Sequence, residues 1–266
     1  MGIDPVIGLV LFALAVVAGF VDSIAGGGGL LTIPALLWAG LSPAHTIATN
    51  KLQACFGSGS ASWRFWRAGQ VKPREFFLAI VTSAAGAAIG ALSINWLDQA
   101  WLQNIIPLML LGAAVFFMFS PSVPQDGRLP KMTPRTYALF VALGIGFYDG
   151  FFGPGTGSFL VLSLVTLLGM DFGKATARTK VLNFSSNIAS LAIFLFGGQI
   201  LWGIGLIMAV GQGIGARLGS NLVLEKGSTI IRPFLVIMSL ALTVRIIFTT
   251  QNGVWHKLLI SIGFGA

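Results

Sequence analysis

The sequence predicts an all-α polytopic membrane protein: two inverted repeats of about five apolar segments each, with glycine-broken helices meeting near the midplane. Composition, an internal repeat and the placement of basic residues predict it. Of 266 residues, 55% are hydrophobic and 9% are charged, whereas a soluble domain carries roughly 25% charged residues. Mean hydropathy is +0.88. Sixteen Lys and Arg with eight Asp and Glu are too few to cover a soluble surface. The net charge of +8 does not point to nucleic acid, because the basic residues fall at the ends of apolar runs rather than in one patch. A bilayer sorts Lys and Arg in that way, so the lipid bilayer is the expected surrounding and nucleic acid is not an expected partner.

The chain reads twice. Gly19-Phe20-Val21-Asp22-Ser23-Ile24-Ala25-Gly26-Gly27-Gly28 aligns with Gly146-Phe147-Tyr148-Asp149-Gly150-Phe151-Phe152-Gly153-Pro154-Gly155. Further on, Gly40 matches Gly169, Ala48 matches Ala177, Lys51 matches Lys180, and the Gly86/Gly90 pair matches Gly215/Gly219. Repeats of this kind reveal architecture before any single element does. Because 35 glycines inflate chance matches, the weight rests on Asp22/Asp149 and Lys51/Lys180.

Taken in order, the first half holds apolar segments near 4–22, 29–40, 44–63, 74–96 and 102–119. The first has no Lys or Arg before it and runs into Val21-Asp22-Ser23 without a small-x-small cleavage site, so it is expected to be a retained helix. The second half holds segments near 136–152, 157–169, 173–196, 200–222 and 230–250. A full span needs about 20 residues; the second segment of each half is too short and follows a glycine cluster, as a broken helix does. Residues 1–119 form a first membrane repeat, the Pro-rich 120–135 a cytoplasmic linker, and 136–266 a second membrane repeat. The loop after segment three carries Arg64, Arg67, Lys72 and Arg74 in the first half, but Phe196-Gly197-Gly198-Gln199 in the second. Equivalent loops of opposite charge bias predict inverted halves. With both termini outside, thirteen of the sixteen Lys and Arg fall on the cytoplasmic side, Lys180 among them; Lys51, Arg245 and Lys257 fall outside.

The candidate site grows from the repeated polar residues. Gly26, Gly27, Gly28 and Gly29, and Gly153, Gly155 and Gly157 with Thr156, interrupt apolar sequence. Non-helical backbone at membrane depth is tolerated where protein or a watery cavity surrounds it. Helices starting there would offer N–H groups and a positive dipole end to an anion; close helix packing is the competing use of such glycines, and the one expected for Gly86/Gly90 and Gly215/Gly219. Lys51 with Ser58 and Ser62, and Lys180 with Thr176, Asn183 and Asn187, share one helical face in each half. These lysines either face a polar cavity or snorkel to headgroups. Gln53, Asn50, Thr179 and Arg178 are neighbouring donors. Asp22 and Asp149 either carry a coupled proton or cap the broken helices.

Other chemistries are not supported. Phe147-Tyr148-Asp149-Gly150 has no Gly-x-Gly-Asp partner for an intramembrane aspartyl protease, so no catalytic residue is assigned. Cys55 is the sole cysteine, and His45 and His256 the sole histidines, which leaves no ligand set for zinc and no intrachain disulfide. There is no P-loop, hence no ATPase subunit is implied and no cofactor is expected. The tryptophans, mostly near segment ends, fit an interfacial belt.

Asp22 to Gly29 through Pro34, Gly40-Leu41-Ser42-Pro43 and Ala48-Thr49-Asn50-Lys51-Leu52 resemble the TauE/SafE family of sulfite and organosulfonate exporters. So do Gly146 to Gly157, Ala175-x-Ala177-x-Thr179-Lys180 and Asn183. One departure is internal: Asn50 stands where the second repeat has Thr179. The resemblance implies a carrier in a prokaryotic cytoplasmic membrane for a small anionic sulfur compound such as sulfite, thiosulfate or sulfoacetate. The residue pattern and the resemblance together predict an anion held by the two glycine clusters, with Lys51 and Lys180 compensating charge and Gln53, Thr156 and Asn183 bonding its oxygens. One elementary charge crossing 100 mV is worth about 2.3 kcal/mol, so an inside-negative membrane drives an anion outward unaided. Import would need a coupled ion, with Asp22 or Asp149 as its place. The alternatives are a proton-coupled importer of thiosulfate or a related anion, and a non-transporting membrane scaffold.

Overall fold

The structure is a computed structural model and describes residues 5–94, 96–119 and 129–226. Every regular element among the described residues is helical. The first half comprises α1 (Pro5–Ala25), α2 (Gly28–Trp38), α3 (Pro43–Arg67), a 3-10 turn (Pro73–Phe76), α4 (Phe77–Ile94) and α5 (Gln99–Phe119). In the second, α6 (Pro134–Thr136), a π-helical stretch (Tyr137–Ala142) and α7 (Leu143–Phe151) run on without a break, followed by α8 (Thr156–Leu168), α9 (Phe172–Gly197) and α10 (Trp202–Lys226). The expected segment 230–250, with Arg232, Arg245, His256 and Lys257, lies outside the described residues, as does the linker stretch 120–128 with Arg128.

Local chemistry sets the boundaries. Pro43 opens α3 in the first turn, where an N–H would have no helical partner. Past its end, Gly69 takes φ +70 while Gly69 N–H donates to Trp66 O and Gln70 N–H to Phe65 O, the paired closure of a Schellman motif. Asp171 caps α9 by accepting from Lys174 N–H at 2.9 Å. Left-handed glycines recur in register with the repeat: Gly26 and Gly153, Gly40 and Gly169, Gly69 and Gly198. The sequence gives no sign of the π-helical stretch. Tyr137 opens it fully buried, its hydroxyl 2.8 Å from Ser163 Oγ.

The halves pack crosswise. α1 lies along α10, and α4 along α7; α3 packs on α10 and α9 on α4, while α3 and α9 meet between them. The glycine registers give directions. Gly215 faces Val16 and Phe20, and Gly219 faces Phe20 and Ser23, so α1 and α10 run parallel. Gly86 faces Leu143 and Phe147, and Gly90 faces Phe147 and Phe151, so α4 and α7 do too. Backbone of the neighbouring helix fills the space a Cβ would need, so both glycine pairs are packing faces. α3 and α9 run antiparallel: His45 contacts Gln199 O at 2.7 Å, Lys51 contacts Asn187 at 3.3 Å, and Gly59 faces Phe184.

Two hairpins turn inside this frame. α2 leaves the glycine tip and returns to where α1 began, its Leu36 packing with Leu11, Leu41 and Ile7. α8 returns likewise to the opposite end, where Leu167 O accepts from Lys131 N–H at 2.8 Å. The tips touch: a Cβ on Gly157 would lie 2.6 Å from Gly26 Cα, and one on Gly29 would lie 3.1 Å from Pro154 Cα. Large apolar side chains such as Leu9, Phe77, Ile89, Phe140, Phe196 and Val210 are exposed, whereas Asn50, Lys51, Gln53, Asp149, Lys180 and Asn187 are buried. A chain dissolved in lipid inverts the usual sorting in this way. Pro5–Ile24, Pro73–Ile94 and Phe172–Gly197 are long and apolar enough to cross a membrane. α3, at 25 residues, is longer than two of these but too polar to join them, because it carries the site.

Candidate functional site

Two buried ion pairs join the halves. Lys51 Nζ, on α3, donates to Asp149 Oδ1 at 2.8 Å and to Asn187 Oδ1 at 3.3 Å. Lys180 Nζ, on α9, donates to the main-chain oxygen of Asp22 and to its Oδ2, the latter at 3.3 Å. Each lysine thus comes from one half and its aspartate from the hairpin of the other. Both lysine side chains are 1% exposed, which rules out snorkelling and moves them from opposite membrane faces to the interior. Burying a charge is tolerable only with a partner and further hydrogen bonds. Asp149 has them, accepting from Thr156 Oγ1 at 3.1 Å and from the Ser186 hydroxyl. The four formal charges cancel.

The aspartates also shape the hairpins. Asp22 Oδ1 accepts from Gly28 N–H at 3.1 Å at the start of α2, and Asp22 O accepts from Gly26 N–H at 2.7 Å. The carboxylate caps the broken helix, so Gly28 N–H is already engaged and is not free for an anion. In the second hairpin, the Thr156 hydroxyl bridges Asp149 and Gly153 O, the latter at 2.7 Å.

A polar cavity of about 20 Å³ lies where the tips meet α3, α9 and α10, a space on the scale of one water. Of the expected site residues, Asp22, Gly26, Gly29, Lys51, Asp149, Gly153, Gly157 and Asn183 line it. Gly27, Gly28, Gln53, Gly155, Thr156 and Lys180 do not. Gln53 stands behind Asn50, its Nε2 donating to Asn50 Oδ1 at 2.8 Å. Arg178 is remote, paired with Glu75 at 2.9 Å and lying over the Phe76 ring.

Asn50, Ala54, Asn187 and Gln212 complete the wall. Asn50 and Asn187 stand on the polar faces that also present Lys51 and Lys180; Gln212 was not anticipated. Its sequence signal is an amide between two glycines in the apolar run of α10. Asn50 Oδ1 accepts from Thr32 Oγ1 at 2.6 Å as well as from Gln53, and Asn183 Oδ1 accepts from Asn187 Nδ2 at 3.2 Å. The oxygens of both amides are therefore committed, and their NH2 groups, with the Lys51 ammonium, remain as donors at the cavity. Neutral and charged N–H donors around a small cavity suit an oxyanion.

Comparison with known proteins gives the family. Residues 11–246 match the family model described as sulfite exporter TauE/SafE. A probable membrane transporter protein of Haemophilus influenzae is 45% identical over 96% of this chain and 99% of its own length. ORF9 of a Sinorhizobium species, also named a probable membrane transporter protein, is 48% identical over 89% of this chain and 91% of its own. YfcA of Escherichia coli K12, of the same description, is 45% identical over 94% of this chain and 93% of its own. The family match across residues 11–246, which spans both halves, identifies the chain as a member of the TauE/SafE family.

Proposed function

We propose that this protein is a multi-pass membrane transporter that exports a small sulfur-containing anion, such as sulfite, thiosulfate or an organosulfonate like sulfoacetate, by alternating access. The observation that carries the reading is the polar cavity between the hairpin tips, bordered by Lys51 and by the Asn50 and Asn183 amides. The antiparallel run of the equivalent helices α3 and α9 supports inverted repeats, a common basis for alternating access. Described basic side chains gather at one end, with Arg64 and Arg67 closing α3 and Lys174 opening α9. By the positive-inside rule that end is cytoplasmic, in a prokaryotic inner membrane. A scaffold has no need of buried ion pairs and asparagines, and relatives named as transporters speak for a carrier rather than an enzyme.

The mechanism follows from an exchange of partners. At about 20 Å³ the cavity leaves little room beside its own side chains. An anion reaching Lys51 competes with Asp149 for the ammonium, and weakening that pair loosens α7 and α8 from α3. Binding is thereby linked to movement of the hairpin between the two halves. The test is counterflow of radiolabelled sulfite, thiosulfate and sulfoacetate in proteoliposomes. Saturable uptake of one of them, competed by its unlabelled form, is the expected result; empty-liposome rates for all three sink the reading.

A second reading has its own observation. Because Lys51, Lys180, Asp22 and Asp149 sum to zero, a bare anion adds net charge to a buried site, and a proton on the displaced carboxylate would cancel it. That favours proton-coupled import, driven by an inward proton gradient. Insensitivity of the flux to an imposed potential, together with alkalinisation of the outer medium during uptake, would select it over unaided export.

A further inference from the structure

Among the described residues, Gln212 is the polar side chain on the cavity wall whose buried oxygen has no partner. It is 3% exposed, and its Oε1 makes no hydrogen bond. Space for it is built in. A Cβ on Gly57 would sit 2.7 Å from Gln212 Cγ and 3.1 Å from Nε2, while Gly19 lies against the Gln212 main chain. The equivalent residue of the first half, Ser83, packs against Gly146 and does not line the cavity. The long amide therefore makes a pseudo-symmetric site one-sided.

The acceptors around it are spoken for. Asp149 receives Lys51, Thr156 and Ser186; Asp22 receives Gly28 and Lys180; the oxygens of Asn50, Asn183 and Asn187 each accept a bond. An anion's own oxygens would meet the Lys51 ammonium and the asparagine NH2 groups. Gln212 Oε1 is the acceptor left over. An unsatisfied buried amide oxygen lowers stability, and a leucine of similar size would not carry that penalty.

We propose that Gln212 is a specificity-determining residue whose carboxamide oxygen accepts a hydrogen bond from the bound molecule. The ligand is then a small sulfur-containing monoanion with a donor of its own: hydrogensulfite or a hydroxyalkanesulfonate. This rests on the sulfur-anion carrier reading above. A ligand with the donor gains a hydrogen bond to an oxygen that the empty site leaves unpaired, and an analogue without the donor gains none.

The experiment is calorimetric titration of detergent-purified full-length protein with 2-hydroxyethanesulfonate and ethanesulfonate, which differ by the hydroxyl. Wild type is expected to prefer the hydroxylated ligand by about tenfold or more. In Gln212→Leu the two affinities converge while ethanesulfonate binding persists, and the thermal midpoint stays at or above that of wild type. Gln212→Met serves as a second variant of similar length. Equal affinities in wild type overturn the proposal, and so does a preference that survives both substitutions. Loss of both ligands alike in stable variants also overturns it, since the amide would then contact the sulfonate through its nitrogen. If stable wild type binds neither these ligands nor hydrogensulfite, it is the carrier reading itself that falls.

Discussion

Lys51 and Asp149 meet at 2.8 Å in the interior, and the same two residue types meet again, with the halves exchanged, at Lys180 and Asp22. The pairs are related by the repeat but are not identical. Lys51 and both carboxylates border the cavity; Lys180 stands behind it, holding the main-chain oxygen of Asp22 as well as its carboxylate. One lysine is placed to be traded to a ligand, the other to hold a hairpin tip.

That difference predicts a split between stability and transport. Removing either partner of a buried pair leaves an uncompensated charge and typically costs about 3–5 kcal/mol. Lys51→Ala and Asp149→Ala should each lower the unfolding free energy on that scale. The double variant Lys51→Met with Asp149→Leu should recover most of it, because a well-packed apolar pair avoids the desolvation penalty. Transport should stay absent in all three. Denaturant titration beside proteoliposome flux checks this; a double variant no more stable than the singles would count against the pair.

The hairpin contact gives a sharper steric prediction. Gly157 opposes Gly26 with no room for a methyl group, whereas a Cβ on Gly213 would meet only Phe56 O at 3.9 Å. Gly157→Ala should therefore push the tips apart and abolish transport, while Gly213→Ala should transport normally. Both carry the same chemical change, so only the tip contact separates them. Equal flux in the two variants would show that the tips do not set the site's geometry.

Much of this arrangement is legible in the sequence because it is periodic. Lys51 and Lys180 recur at one spacing and Asp22 and Asp149 at another, and the polar faces of α3 and α9 follow from the helical repeat alone. What the sequence does not carry is which residue meets which. The charge tally sends Lys51 and Lys180 to opposite membrane faces, since local hydropathy cannot report a carboxylate arriving from the other half. Gln212 escapes for a related reason: α10 is an ordinary apolar run until its packing on α1 and α3 turns one amide inward. The π-helical stretch at Tyr137–Ala142 leaves no compositional mark.

Within α7, two glycines with different surroundings should respond with opposite signs. Gly150 packs so closely on the Ala87 carbonyl that no methyl group fits, whereas nothing lies within 4 Å of a Cβ on Gly144. Gly150→Ala should destabilise by about 1–3 kcal/mol through overpacking. Gly144→Ala should stabilise by about 0.4–1 kcal/mol, since alanine restricts the unfolded chain at an unstrained helical position. Thermal midpoints of the two purified variants decide the matter, and a shift in the same direction would contradict the α4–α7 register.

The directions of the helices predict which loops face which side. Gln70 follows α3 at the end where Arg64 and Arg67 lie, and Leu201 precedes α10 at the end where His45 contacts Gln199; both are exposed. The native Cys55 is buried, and a Cys55→Ser background removes it as a competitor. In that background, Leu201→Cys should react in intact cells with a membrane-impermeant maleimide, and Gln70→Cys should react only after the membrane is opened. Labelling of Gln70→Cys from outside, with Leu201→Cys protected, would place the basic end outward and reverse the orientation. Labelling of both from outside would mean that α3 and α10 do not connect opposite faces, and the two hairpins could not then approach the cavity from opposite sides.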